Sequence, residues 1–303
     1  MFRQNEVSIA VVVPTVGRWS ELERCLSSLE HQADGPPEKC ICVLSGHTDA
    51  LPQNSMRPWI HVVREPRRSP GAARNAGLAI ADTDWVAFID DDCIAPPTWL
   101  RTLTRVVLER PGMAIAGGAV IEPDRPGTVY QLMRMLNYMR SPTTLKWRGD
   151  GVPSLGGANL LMRRSIACQV GGFNAGLTST EDFELVLRLH RAGEEIVPFH
   201  HADPVVHIHT TGIVTFVKRY RRYGEGVARV VALHDLDPAA HRVYCGHAGR
   251  SLASAVRRFA REDLVWMRGN GSNLNLRHRI LVYVRAASWQ GGAWWTVRQA
   301  GRG

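Results

Sequence analysis

Three consecutive aspartates, Asp90, Asp91 and Asp92, end an apolar run in the segment TDWVAFIDDDC, 83–93. If the extended geometry of that run persists, Asp90 and Asp92 point to one face and Asp91 to the other. Two carboxylates about 5 Å apart repel by roughly 3 kcal/mol at an effective dielectric near 20. A divalent cation removes that penalty, and a hard one such as Mg2+ or Mn2+ prefers oxygen ligands. The competing reading is a solvated acidic loop before a helix that starts near Pro97, and the triplet alone does not choose between them.

Three further segments carry candidate chemistry. In STEDFELVLRLHRAG, 179–193, Glu181 and Asp182 fall in the first turn of a helix. Acids there offset the helix dipole by about 0.3–1 kcal/mol each, and the functional alternative makes one of them a general base facing a cleft. In PVVHIHTT, 204–211, strand alternation sets Val205, His207 and His209 on one face. A pair of imidazoles there can complete a metal site or simply face solvent. In SPGAARNAGLA, 69–79, a glycine near a helix start exposes backbone N–H groups and Arg74 adds a fixed charge, which suits a phosphate or sugar ligand. Close packing through small residues explains the same segment. No GxGxxG follows the first strand and no GxxxxGK[ST] occurs, which counts against dinucleotide and P-loop sites.

The elements that must position these groups alternate in type. Val7–Val13, Cys40–Leu44, Trp59–Arg64, Trp85–Ile89 and Met113–Ile121 read as five buried strands. Between them, Trp19–His31 has an apolar stripe at helical spacing, Ser69 caps a helix with Pro70 at its first position, and Pro97–Glu109 opens another. Such alternation predicts a mostly parallel sheet with helices on both faces. Residues 122–156 are rich in Pro and Gly and read as a loop plus a helix. Asn159–Arg163 reads as a strand, Arg164–Val170 and Thr180–Arg191 as helices, and Glu195–Pro198 and Pro204–His209 as short strands. Helical patterns dominate from Ile213.

Composition bounds the rest. The 303 residues suggest about two domains, and 45% hydrophobic with 21% charged residues excludes disordered and fibrous classes. No apolar run approaches the roughly 18 residues of a membrane span, and the N-terminal apolar stretch stops at Pro14 without a small-residue cleavage site. The six cysteines form no CxxC pair, which suits a reducing cytoplasm and offers no zinc site. The net charge of +9 is uneven: −2 over residues 1–212 and +11 over 213–303. A basic segment of this kind attracts phosphates.

Taken together, VVVPTVGR at 11–18, GHTD at 46–49, PGAARNAGLA at 70–79, FIDDDC at 88–93, LGGANLLMRRS at 155–165, VGGF at 170–173 and TEDFELVLRLHRAG at 180–193 resemble an inverting family 2 glycosyltransferase over roughly residues 7–210. The resemblance implies an α/β GT-A fold, a Rossmann-like, mostly parallel sheet flanked by helices. It implies a catalytic domain over 1–212, with a nucleotide-binding half to about 120 and an acceptor-binding half after it. A helical, basic C-terminal region of 213–303 would follow.

The resemblance also implies roles. Pro14 and Thr15 would flank the nucleotide base, Asp90 would lie near base or ribose, and Asp91 near ribose or sugar. Asp92 would hold a divalent metal, Mn2+ or Mg2+, on the diphosphate of a nucleoside-diphosphate sugar, with His207 or His209 completing the ligands. Asp182 would be the base, with Glu181 beside it at the substrate, and Gly157 and Asn159 would line the donor-sugar and acceptor side. Ser45 stands where the family usually has an acidic residue contacting the base or ribose, so the base stays open.

Inversion would follow from one displacement without a covalent intermediate. The stretch 122–156, with Trp147, would form a lid over the acceptor. The arginines and Trp266, Trp289, Trp294 and Trp295 of the C-terminal region would either pack on the catalytic domain or touch an anionic membrane face from the cytoplasm; nucleic acid is not an expected partner. Two alternatives remain: a sugar-nucleotide nucleotidyltransferase, which normally carries a GxGTRxxP-type loop absent from PTVGRWSE, and an inactive transferase-like module binding a phosphorylated ligand or anionic surface.

Overall fold

Continuous β-branched runs with no polar face can only sit where both sides are covered, and Val11, Val12 and Val13 are wholly buried in the middle of a sheet. The computed structural model describes residues 7–46, 49–123, 125–136, 155–199, 204–208, 212–238, 241–243, 251–269 and 274–300. The described residues up to 121 and those of 155–208 form one compact unit, and those of 122–136 and from 212 onward form a second.

In the first unit the chain runs β1 (Ile9–Thr15), α1 (Trp19–Glu30), β2 (Lys39–Ser45), β3 (Ile60–Glu65), α2 (Pro70–Ile80), β4 (Trp85–Phe88), β5 (Cys93–Ile94), α3 (Trp99–Glu109), β6 (Ile115–Gly117) and β7 (Val120–Ile121). After the second unit's α4 (Thr128–Met135) come β8 (Leu160–Arg163), α5 (Arg164–Gln169), α6 (Glu181–Arg191), β9 (Ile196–Pro198) and β10 (Val205–His207). Seven strands form one sheet in the order β3-β2-β1-β4-β8-β6-β9, with β8 antiparallel to both neighbours and the other pairings parallel. A second sheet of three short strands has the order β5-β10-β7.

Two departures from the sequence reading have physical causes. β1 runs on through Pro14. Val12 gives its carbonyl to the Ile89 N–H, so Pro14, two residues on, faces the same side, past the end of β4 where a missing N–H costs no ladder bond. The single strand expected over Met113–Ile121 is two, β6 in the large sheet and β7 in the small one. They part at Gly117–Gly118, where a Cβ on Gly118 would overlap the Asn159 amide and meet the Phe199 ring at 2.6 Å. Only a glycine lets the chain cross there.

The second unit is helical: α4, then α7 (Ile213–Leu233), α8 (Leu252–Gly269) and α9 (Leu276–Ala300). α7 and α9 cross in backbone contact, since a Cβ at Gly224 would overlap the Trp289 carbonyl and one at Gly292 the Arg221 carbonyl. Inside this unit Asp263 is fully buried between Arg242 and Arg285. Among the described residues no helix is long and apolar enough to cross a membrane.

Candidate active site

β1 and β4 lie side by side and parallel, so the loops leaving their carboxyl ends meet. After β4 the chain turns at once, with the Cys93 N–H bonded to the Asp90 carbonyl at 3.0 Å. The expected alternation of the three aspartates therefore does not persist. Asp91 and Asp92 share one partner, Arg18 from the loop after β1, while Asp90 goes elsewhere. Arg18 reaches Asp91 through Nη2 and Nε and donates from Nη1 to Asp92 Oδ2 at 2.6 Å. Thr15 donates its hydroxyl to Asp91 Oδ2 at 2.6 Å. Burial pushes the Asp91 carboxyl up to about 6, against the pull of Arg18 and with the repulsion of Asp92.

The small sheet brings in His207. β10 pairs antiparallel with β5, the two residues directly after the triplet, in the register His207–Cys93. The Ile208 N–H binds the Asp92 carbonyl at 2.6 Å, and His207 Nε2 stands 3.0 Å from Asp92 Oδ1. Adjacent ligands of one octahedral ion are about 3 Å apart when each bond is about 2.1 Å, so this oxygen–nitrogen pair fits a Mn2+-like cation. Cys93 Sγ lies with these two groups, all three ligand atoms within 4.8 Å of one another. Burial raises the Cys93 thiol well above its ordinary range, and a neutral thiol suits a hard cation poorly. His209 falls outside the described residues, as do Trp147 and most of the expected lid.

Arg74, on the buried face of α2, joins the triplet to the Glu181–Asp182 pair. Its Nη2 donates to Asp90 Oδ1 at 2.7 Å and its Nη1 to Glu181 Oε1. Burial alone would push the guanidinium toward neutrality, but Asp90, Glu181 and Asp182 outweigh it and keep it charged. Burial pushes Glu181 up to about 7, opposed by Arg74 and reinforced by Asp182. The Arg74 Nε–H is buried with no hydrogen-bond partner.

The start of α2 is not open to a phosphate. Ser69 caps it, accepting from the Ala72 N–H at 3.3 Å and donating to the Ala175 carbonyl at 2.8 Å. A Cβ on Gly71 would lie 2.8 Å from the Asn174 carbonyl, so residues 174–177 cover this end.

Asp182 stands at the first turn of α6, half-buried. Its Oδ2 accepts the Gly157 N–H and its Oδ1 the Phe183 N–H, both at 2.8 Å. Gly157 is pressed against Arg74, where a Cβ would lie 2.5 Å from Nη2. One glycine thus touches both the guanidinium and the aspartate. Thr180, just before α6, is held at φ 65°, a conformation that costs a β-branched residue roughly 1–2 kcal/mol.

Two expected residues sit deeper. Asn159 is buried, accepting from Trp99 Nε1 at 2.9 Å and donating to the Ala119 carbonyl at 3.1 Å. Its amide holds the crossing between the two sheets. Ser45 is buried at the end of β2 and donates to the Arg67 carbonyl at 2.9 Å. Pro14 is half-buried at the end of β1 beside Thr15. Arg18 and Cys93 are the residues that motif reading passed over. A signal for Arg18 exists: it is the basic residue in the loop after β1, and an acidic loop follows the strand next door.

The glycosyl transferase family 2 profile matches residues 10–171. A pre-mycofactocin glycosyltransferase of Mycobacterium tuberculosis is 28% identical over 254 residues, 79% of this chain, and the chain spans about half (51%) of that relative's length. An N-acetylglucosaminyl-diphospho-decaprenol L-rhamnosyltransferase of the same organism is 28% identical over 244 residues, 67% of this chain and 78% of its own. Among solved structures, a mannosyltransferase from Pyrobaculum calidifontis in complex with GDP-Man and Mn2+ superposes with a TM-score of 0.62 at 17% identity, covering 94% of this chain and 85% of that one. Glucosyl-3-phosphoglycerate synthase from Mycobacterium tuberculosis, with Mn2+ and UDP-glucose, gives 0.56 at 18% identity, covering 77% and 81%. The sheet order, the two carboxylate segments at its rim and the profile match over more than half the chain agree: the molecule has the GT-A fold and belongs to glycosyl transferase family 2.

Proposed function

We propose that this chain moves a sugar from a nucleoside-diphosphate donor to an acceptor hydroxyl by a single inverting displacement that depends on a divalent cation. The observation that carries the reading is the Arg74 bridge: one buried guanidinium ties Asp90 to Glu181, so the triplet and the Glu181–Asp182 pair lie around a common point. Asp92 and His207 would hold the cation, which when bound neutralises the negative charge that develops on the diphosphate. Pro14, Thr15, Ser45, Asp90 and Asp91 would surround the nucleotide.

Asp182 would take the proton of the attacking hydroxyl. Two backbone amides fix its carboxylate, and each oxygen keeps a lone pair for the acceptor. A base so placed contributes about 10²–10⁴ in rate. Glu181 acts through Arg74, and Gly157 admits the guanidinium and the carboxylate to one place. With a single attack on the face opposite the departing diphosphate and no enzyme nucleophile, the anomeric centre inverts. The decaprenol named in one relative supports a lipid-borne acceptor here too.

A thermal-shift series of nucleoside diphosphates with Mn2+ or with chelator tests the reading. One base should stabilise the protein, and only with the cation. Asp182→Asn should keep that shift and lose transfer. Nucleotide stabilisation indifferent to chelator, or an Asp182→Asn enzyme transferring at the unaltered rate, would overturn it.

A further inference from the structure

α9 is apolar on two faces. Val282, Ala286, Trp289 and Ala293, at spacings of four, three and four, are buried and form the face used against α7 and α8. A second stripe, Leu276, Ile280, Tyr283, Ala287 and Trp294, repeats at four, three, four and seven residues on a different side of the same helix. Leu276 is 74% exposed, Ile280 54% and Tyr283 45%, so the first half of this stripe is turned to solvent, while Trp294 at its far end is half-buried. Arg277 and Arg279, both exposed, lie on either side of it, and Arg298 stacks over the Trp294 ring at 4.2 Å. From residue 276 to 294 the stripe extends about 27 Å at 1.5 Å per residue. A surface helix normally shows one apolar stripe. Among the described residues, the second leaves Leu276, Ile280 and Tyr283 uncovered.

We propose that this stripe of α9 lies on an anionic bilayer surface, with Leu276, Ile280, Tyr283 and Trp294 in the headgroup boundary and the flanking arginines on lipid phosphates. Charge complementarity selects the occupant: residues 213–303 carry a net charge of +11, and arginines border the apolar residues on both sides. No helix among the described residues can cross a membrane, so the contact is one of lying on the surface. The inference stands on α9 alone and holds whichever sugar the chain transfers.

Flotation of the full chain with phosphatidylcholine vesicles, and with vesicles also containing phosphatidylglycerol, tests it. The protein should float only with the anionic vesicles at low salt. Ile280→Asp should lower the bound fraction at least tenfold, and the pair Arg277→Glu with Arg279→Glu should do the same. Arg105→Glu, at an exposed site on α3 in the first unit, changes the net charge but not the stripe and should alter binding less than twofold. Thermal unfolding of each variant verifies that it folds. The proposal is overturned if the unaltered chain stays unbound, if Ile280→Asp floats equally well, if Arg105→Glu is as damaging as the α9 changes, or if Ile280→Asp splits an oligomer while leaving flotation intact.

Discussion

The molecule holds two clusters of arginine and carboxylate that use the same groups to opposite ends. In the first unit Asp90, Asp91, Asp92, Glu181 and Asp182 share two arginines, Arg18 and Arg74, and one of these, Arg18, is 44% exposed at its side chain. In the second unit Asp263, sealed from water, receives two arginines, and Arg242 also pairs with Glu262, so two acids meet two arginines. Arg242 lies 3.8 Å from the Phe259 ring centroid and Arg285 4.6 Å from that of Tyr220, so aromatic faces cover both cations. A surplus of like charge beside a half-exposed counter-ion can be met by a ligand. A balanced, dry cluster leaves nothing for a ligand to do and serves only to hold helices together. The ratio of charges and the reach of water, rather than the presence of ion pairs, separate a site from a strut.

Substituting one acid in each cluster is the sharpest test of that distinction. Asp182→Asn should lower transfer by about 10²–10⁴ while costing the fold only about 1–2 kcal/mol, because the amide loses the basicity and can accept just one of the two backbone N–H groups. Asp263→Ala should do the reverse. It strands two buried arginines and should cost about 3–5 kcal/mol, read by urea denaturation, while the folded fraction keeps its kcat and KM. If Asp263→Ala slowed transfer as much as Asp182→Asn, the two clusters would not be the different devices described here.

How far this difference is written in the chain follows from where each signal lies. The strands of the first unit are legible because buried β-branched runs such as Val11–Val13 and Cys40–Leu44 have no alternative use. The Ser69–Pro70 helix start is legible because a cap is a local feature. The acids of the site stand out by their clustering. Their partnerships do not: Arg18 meets Asp91 across 73 residues and Arg74 meets Glu181 across 107, and although each arginine stands out in its own segment nothing local says which acids it pairs with. The turn at Asp90–Cys93 defeats alternation because the strand ends two residues before the first aspartate. Asp263 carries no signal at all, being one acid in an ordinary helical pattern until α9 supplies Arg285.

The acidic cluster should also respond to pH. Glu181 holds its proton to about pH 7 in the folded protein, whereas in the unfolded chain it releases it near 4.5. Between those values the native state binds more protons, so stability falls as pH rises through the window and levels off above it. Arg74, Asp90 and Asp182 are the charges that act on it, and Asp91, raised to about 6, adds a loss of the same sign. Glu181→Gln should therefore be less pH-sensitive than the unaltered protein between pH 4.5 and 7. The difference is at most about 1.4 kcal/mol per unit of pKa displacement, measured by denaturation at pH 5 and 7.5. An equal slope in Glu181→Gln and the unaltered protein would place the proton elsewhere.

The smallest effect concerns the arginine that can leave. Arg18 donates to Asp92 Oδ2 while His207 stands at Oδ1, so a cation seated on Asp92 and His207 must compete with the guanidinium for the same carboxylate. Arg18 is nearly half exposed but its partners Asp91 and Asp92 are buried, so its removal should cost about 1–3 kcal/mol of stability. Arg18→Gln should then bind Mn2+ several-fold more tightly than the unaltered chain when no nucleotide is present, as read from the free-ion Mn2+ signal in electron paramagnetic resonance. With a nucleoside diphosphate bound the advantage should shrink or reverse, since the phosphates offer the displaced guanidinium a new partner and the variant has none to offer. A matching change in the sealed cluster, Arg242→Gln, should leave Mn2+ binding untouched and destabilise the fold instead. If Arg18→Gln bound Mn2+ more weakly without nucleotide, the arginine would be organising Asp92 for the cation rather than competing with it.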